Sequence, residues 1–146
     1  MYAFHVTIHA RPDDAAPGTA VALGNRSVAT LDVPRESLSI PFGISFEEAA
    51  QRLEKLPRSC VEPDGSFFYG SRQGMPEWQI DGNLFDRGGR LLFVDLKGTC
   101  PAEEFDRMLA ALGWPETRLA FQLVREAVLL DEAEFRDWAS LGSAER

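Results

Sequence analysis

The chain has 146 residues, a length that suits one domain, and 45% of them are hydrophobic, as in globular proteins with a buried core. Its net charge of −8 excludes nucleic acid and anionic membranes as favoured partners, because these are bound by clustered Lys and Arg. No run approaches the ~20 apolar residues of a membrane span, and the start "MYAFHVTIHARPDD" lacks a secretory signal. We therefore expect a single cytoplasmic domain over residues 1–146.

The two cysteines point to reduced thiols. Cys60 and Cys100 are too few for a disulfide scaffold and form no C-x-x-C pair. A single bridge between them stays open at this stage. The hydrophobic content is high enough that we expect no cofactor to be needed to hold the fold together.

The first predicted element is a strand over residues 2–10, because apolar and polar side chains alternate there with the period of a half-buried strand. Its apolar side consists of Tyr2, Phe4, Val6 and Ile8, and its other side of Ala3, His5, Thr7 and His9. Residues 19–32 predict a hairpin around Gly24-Asn25. Pro34 and Pro41 make the region between them irregular or an edge strand.

Three helices are predicted, over residues 45–56, 101–112 and 131–140. Ser45 with Glu48 forms the pattern of a capping box, and Asp131 with Glu134 has the same spacing. Apolar residues at helical spacing then mark the buried faces. These residues are Phe46, Ala49, Ala50, Leu53 and Leu56, then Phe105, Met108, Leu109 and Leu112, then Phe135, Trp138 and Ala139.

The segments 66–72, 78–86 and 90–97 predict a meander of antiparallel strands. Residues 117–130 alternate as a buried strand does, although a helix fits the same residues nearly as well. We favour the strand. The predicted fold class is α+β, a mainly antiparallel sheet with about three helices packed on one face.

The turn between the second and third meander strands decides which side chains share a face, since a one-residue shift moves every side chain to the other side. A three-residue Arg87-Gly88-Gly89 turn gives the cleaner apolar face, with Asp86 opposite Arg90. It pairs Leu84 with Leu92, Gly82 with Val94 and Ile80 with Leu96. The reverse face then pairs Phe85 with Leu91, Asn83 with Phe93, Gln79 with Lys97, and Asp81 with Asp95.

The predicted Asp81–Asp95 pair is the leading candidate for chemistry. Two directly opposed carboxylates ~5 Å apart could share a proton or a divalent cation. Lys97 lies diagonal to Asp81, however, and Gln79 and Asn83 can donate hydrogen bonds, so a solvated or partner-facing polar surface is the favoured interpretation. A flat sheet also lacks the concave pocket of most substrate sites.

The remaining candidate groups are weaker. His5 and His9 lie ~13 Å apart along one strand and cannot bind one zinc ion together. Cys100 lies at or next to the start of the second helix, where the helix dipole favours a thiolate, but a nucleophile would also need a histidine brought near by the fold. The sequence has no G-x-x-x-x-G-K-[ST], G-x-G-x-x-G, H-E-x-x-H or G-x-S-x-G motif.

We therefore expect an acidic protein-binding domain of adaptor, inhibitor or immunity type, without catalytic activity, cofactor or metal. Its binding surface would be the face with Asp81, Asn83, Asp95 and Lys97, or the acidic helices after Pro101, and a basic protein is the favoured partner. One alternative is a hydrolase or divalent-metal enzyme that uses Asp81 and Asp95, or Cys100. Another is a small-ligand binder with a Phe-lined cavity. Homo-oligomerisation stays open.

Overall fold

A computed structural model describes residues 1–72 and 77–141. It confirms the α+β prediction: within these residues there are three α-helices and a seven-stranded sheet in which every neighbouring pair is antiparallel. From one edge to the other the strands are β11 (Val128–Asp131), β10 (Leu119–Leu123), β1 (Tyr2–Ala10), β9 (Arg90–Cys100), β8 (Gln79–Arg87), β7 (Ser66–Gly70) and β6 (Ser59–Val61).

The helices begin at the predicted caps. They are α1 (Phe46–Glu54), α2 (Ala102–Ala111) and α3 (Glu132–Ser140). The Glu48 amide donates to Ser45 Oγ at 3.0 Å and the Glu134 amide to Asp131 Oδ1 at 2.9 Å, so both caps satisfy an amide that the helix itself leaves free. Pro101 precedes α2 without a side-chain cap.

The core lies between the helices and one face of the sheet. Phe rings from β1, β10, α2 and α3 pack on one another there, with centroids 4.4 Å apart for Phe121 and Phe135 and 5.3 Å apart for Phe4 and Phe105. All four rings are buried. They fill the core with each other, and none of them lines the cleft beside Arg118 or the cleft beside Leu129.

Residues before α1 form two small two-stranded sheets. The predicted hairpin is present as β3 (Val21–Leu23) and β4 (Arg26–Val28) around Gly24-Asn25, and β2 (Ala16–Pro17) pairs with β5 (Leu31–Asp32). These strands lie outside the main sheet, where the Ala29 amide donates to Glu134 on α3 at 3.0 Å. Between the two prolines the chain forms a 3-10 helix, Arg35–Ser39.

The segment 117–130 is two strands and not a helix. β10 and β11 form a hairpin in which Phe121 pairs with Leu130, and Ala127 takes a positive φ of 60° in the turn. The preference for strand over helix is therefore confirmed, but the one predicted strand is two strands joined by a turn.

The meander has the predicted order, but the predicted turn and register are wrong. The β8–β9 turn has two central residues, Gly88 and Gly89, with φ of 58° and 82°, and Arg87 pairs with Arg90. Leu92 is then left over as a bulge, because Asp86 pairs with Leu91 while Phe85 pairs with Phe93. Beyond the bulge Leu84 pairs with Val94, Gly82 with Leu96, Ile80 with Gly98, Asn83 with Asp95, and Asp81 with Lys97.

The bulge has clear physical advantages over the predicted turn. It buries Leu91 completely while Val94 and Leu96 keep their places in the core. On the other face it stacks Phe85 on Phe93, with centroids 4.5 Å apart, and it sets Asp81 opposite a cation instead of another carboxylate.

Candidate functional site on the open sheet face

The helices pack against one face of the sheet, and we call the other one the open face. Its central side chains come from alternate positions of five adjacent strands and form rows across them. They are Gln122 on β10, His5, Thr7 and His9 on β1, Phe93, Asp95 and Lys97 on β9, Asp81, Asn83 and Phe85 on β8, and Phe68 on β7. All four predicted binding residues, Asp81, Asn83, Asp95 and Lys97, therefore share this face.

Asp95 lies in the middle row between Thr7 and Asn83. Thr7 Oγ1 donates a hydrogen bond to Asp95 Oδ1 at 2.7 Å. On the other side, Asn83 Oδ1 is buried and accepts no hydrogen bond from any described residue. The row thus holds one half-buried carboxylate with a hydroxyl donor, beside an amide oxygen with unused acceptor capacity.

Asp81 lies in the next row, opposite Lys97 and Phe68. Gln79 Nε2 donates to Asp81 Oδ1 at 2.9 Å, and both Asp81 and Lys97 are exposed. The predicted opposition of Asp81 and Asp95 is wrong, since the two are diagonal neighbours, roughly 7–8 Å apart for such positions. Within residues 1–72 and 77–141, no three side chains of metal-binding type come together. The directly opposed carboxylate pair on which the acid/base and metal interpretations depended is therefore not formed.

The row nearest the β8–β9 turn is aromatic. His9, Phe93 and Phe85 lie side by side across three strands, with 6.0 Å between the His9 and Phe93 rings. His9 is only 7% exposed, and its Nε2 lies 2.9 Å from Gln122 Oε1. Because that oxygen can only accept, Nε2 carries the proton in this arrangement, and Nδ1 is left as a buried acceptor with no partner among the described residues.

Burial of His9 makes the fold sensitive to acid. Burial lowers the pKa of His9 below 6.5, and this effect exceeds the opposite effects of the hydrogen bond that His9 donates to Gln122 and of the charge of Asp95. The stabilisation is therefore complete above pH 6.5 and is lost as the pH falls through the lowered value, because the unfolded chain takes up a proton first. We expect His9→Gln to flatten the decline in the free energy of unfolding below pH 6.5, as measured by urea denaturation at pH 7, 6 and 5. Parallel declines in the two proteins would contradict this.

The structure separates Cys100 from both histidines. Cys100 lies on the helix side of β9, whereas His5 and His9 lie on the open face. Burial, with smaller effects from Glu104 and Asp106, raises the pKa of Cys100 to about 12, so the thiol stays protonated and unreactive at neutral pH. Cys60 is exposed, and no bridge joins the two cysteines. The proposed Cys100–histidine site thus has no structural basis.

Sequence reasoning missed several members of the open face, among them Thr7, Gln122 and Phe68. The alternation in residues 2–10 placed Thr7 on the side of the histidines, which is correct. No local pattern shows that β1 lies between β9 and β10, however, and this long-range pairing is what brings Thr7 to Asp95 and Gln122 to His9.

Together these features define an α+β protein whose antiparallel sheet has one face buried under helices and one face with mixed polar and aromatic side chains. No protein family model, curated protein or solved structure matches the chain. Among the described residues, no helix has the length and apolar character needed to cross a membrane.

Proposed function

We propose that the chain is a protein-binding domain, and that the open face of its sheet holds a partner protein with a basic contact surface. The observation that carries the proposal is the combination on one face of a 41% exposed Phe68, a stacked Phe85–Phe93 pair and the side chains of Asp81, Asp95 and Lys97. Aromatic anchors surrounded by polar groups are typical of protein interfaces.

The shape of the face suits a macromolecule better than a small substrate. Seven strands ~4.8 Å apart, with central strands of nine to eleven residues at ~3.3 Å each, give a surface roughly 30 Å across in each direction at its centre. One side of a standard protein interface covers ~800 Å². A small substrate would instead need a concave pocket with converging polar groups.

Charge favours a basic partner. The chain as a whole carries −8, which accelerates encounters with cations. On the face itself, the carboxylate of Asp81 is exposed and that of Asp95 is half-buried, so both can accept hydrogen bonds from a partner. Lys or Arg side chains supply only hydrogen-bond donors, so they match these acceptors.

The test compares matched surface variants in retention from a native cell lysate at low salt. We expect the wild-type chain to retain a specific basic protein, and Asp81→Lys to lose it. Glu54→Lys makes the same charge change at the exposed end of α1 and should retain it. Phe68→Ser should weaken retention at least tenfold, whereas Ile40→Ser, a change at a similarly exposed residue, should not.

Three outcomes would overturn the proposal. The first is that the wild-type chain retains nothing at low salt, and the second is that Asp81→Lys and Glu54→Lys retain the same protein equally. The third is a concentration-dependent dimer in sedimentation that Asp81→Lys dissociates, because the face would then bind a second copy of the chain. Circular dichroism and melting curves confirm beforehand that each variant is folded.

A further inference from the structure

Two arginines oppose each other where β1 and β10 end. The Arg11 amide donates to the Arg118 carbonyl at 2.7 Å, one step beyond the Ala10–Leu119 pair, so the two residues continue the ladder. Arg11 lies two positions after His9 and Arg118 two positions before Ala120, so the two arginine side chains point to the same side of the sheet. Directly opposed side chains have Cβ atoms ~5 Å apart, and like charges at such positions are destabilising unless something compensates.

Neither guanidinium is compensated by the described part of the chain. No carboxylate lies within 4.0 Å of Arg11 or Arg118, and neither side chain makes a hydrogen bond there. Four other arginines do have an acidic partner, namely Arg26 with Asp137, Arg52 with Glu48, Arg107 with Glu104, and Arg136 with Asp106 and Glu132. What sets Arg11 and Arg118 apart is the cleft that both of them line.

The two arginines line a cleft, which we call the arginine cleft. Its volume is about 380 Å³, within the range of small-ligand sites, and Ile40 and Pro41 form an apolar part of its wall. Because Arg11 and Arg118 are joined by the backbone hydrogen bond, their Cα positions are fixed relative to each other. Sites held by strands in this way are more precise than sites on loops.

Asp13 and Glu116 also line the arginine cleft, and both are exposed. Neither forms an ion pair with Arg11 or Arg118, so the two guanidinium groups have no direct counter-ion among the described residues, although the formal charges that line the cleft sum to zero. The two carboxylates do restrict the kind of anion that fits. A long polyanion would run past these carboxylates and be repelled, whereas a single small group between the guanidiniums would contact mainly the cations.

We propose that the arginine cleft binds a small oxyanion, a carboxylate or phosphate group held between the guanidinium groups of Arg11 and Arg118. The planar, multiply donating guanidinium matches both groups in bidentate geometry. The bound anion would also remove the repulsion between the opposed arginines. This site lies at the end of the open face, two positions beyond His9 and Ala120, and it uses none of the residues on which the proposed partner surface depends.

The test measures the melting temperature with increasing inorganic phosphate in one series and succinate in another, with ionic strength held constant by sodium chloride. For whichever anion the cleft accepts, we expect a rise of roughly 3–5 °C for each tenfold increase in concentration above its dissociation constant. Arg11→Gln, Arg118→Gln and the double variant should lose this rise. Arg107→Gln removes the same charge from the exposed side of α2 and should keep it.

The variants also separate specific binding from the general stabilisation that phosphate gives through exclusion from protein surfaces. The double variant still shows that general effect, so its rise in melting temperature is subtracted from the rise of the wild-type chain. Without added anion, Arg118→Gln should melt no lower than the wild-type chain, because it relieves the repulsion, and this shows that the variant is folded. The proposal is overturned if neither anion raises the wild-type melting temperature above that of the double variant, or if Arg107→Gln abolishes the rise equally.

Discussion

Replacing Gly98 with alanine should reduce the free energy of unfolding by about 3–5 kcal/mol, the range of the severe single substitutions. Gly98 has a φ of 144°, a conformation that side chains rarely adopt. A Cβ atom there would lie 2.0 Å from the backbone oxygen of Gln79 on β8. Because the obstacle is backbone in the middle of the sheet, it cannot move aside as a flexible side chain could. Urea denaturation followed by tryptophan fluorescence measures the loss.

Gly88→Ala is the matched control. Gly88 also has a positive φ, 58°, but it lies in the β8–β9 turn and a Cβ atom there would have no neighbour within 4 Å. Gly88→Ala should lower the free energy of unfolding only by the cost of placing a side chain at a positive φ, about 1–2 kcal/mol. If the two substitutions cost the same, the backbones of β8 and β9 do not approach each other at Gly98, and the register described above is incorrect.

That register also shows where prediction from the sequence reached its limit. Leu91 and Leu92 are both leucine, and either can be assigned to the core by hydrophobicity alone. The fully buried residue is Leu91, and Leu92 becomes the bulge. Hydrophobic pattern therefore cannot distinguish a three-residue turn from a two-residue turn followed by a bulge. The wrong turn changed the interpretation of the site, because the predicted register paired Asp81 with Asp95, whereas the structure pairs Asp81 with Lys97.

Features that depend on neighbouring residues were predictable. The alternation from Tyr2 to Ala10 and the caps at Ser45 and Asp131 involve residues at most four positions apart, and the structure confirms all three. The order of strands in the sheet is different in kind. β1 pairs with β9 and β10, about a hundred residues away, and no local signal specifies that choice. The arginine cleft follows from the same pairing, so the sequence alone could not indicate it.

Replacing Arg136 with alanine should reduce the free energy of unfolding by about 2–4 kcal/mol. Arg136 joins α3 to α2 and β1. Its guanidinium contacts Asp106 at 2.7 Å and Glu132 at 3.1 Å, and it donates to the Tyr2 hydroxyl at 3.3 Å. Its Cζ also lies 5.4 Å from the centroid of the Trp114 ring. The loss should fall short of that for a fully buried ion pair, because Asp106 is 45% exposed and water can recover part of its solvation.

Two companion variants show which contribution matters. Arg107→Ala breaks one ion pair at a side chain that is 57% exposed, and it should cost under about 0.5 kcal/mol. Arg136→Lys keeps the charge but loses the planar group that stacks on Trp114 and contacts two carboxylates at once. Suppose that Arg136→Lys lowers the free energy of unfolding nearly as much as Arg136→Ala, and that the loss persists in 1 M salt. The shape and stacking of the guanidinium then stabilise the packing of α2 and α3 on β1 more than its charge does. A cost for Arg136→Ala no larger than for Arg107→Ala would mean that neither the ion pairs nor the aromatic contacts of Arg136 stabilise the packing of α2 and α3 on β1.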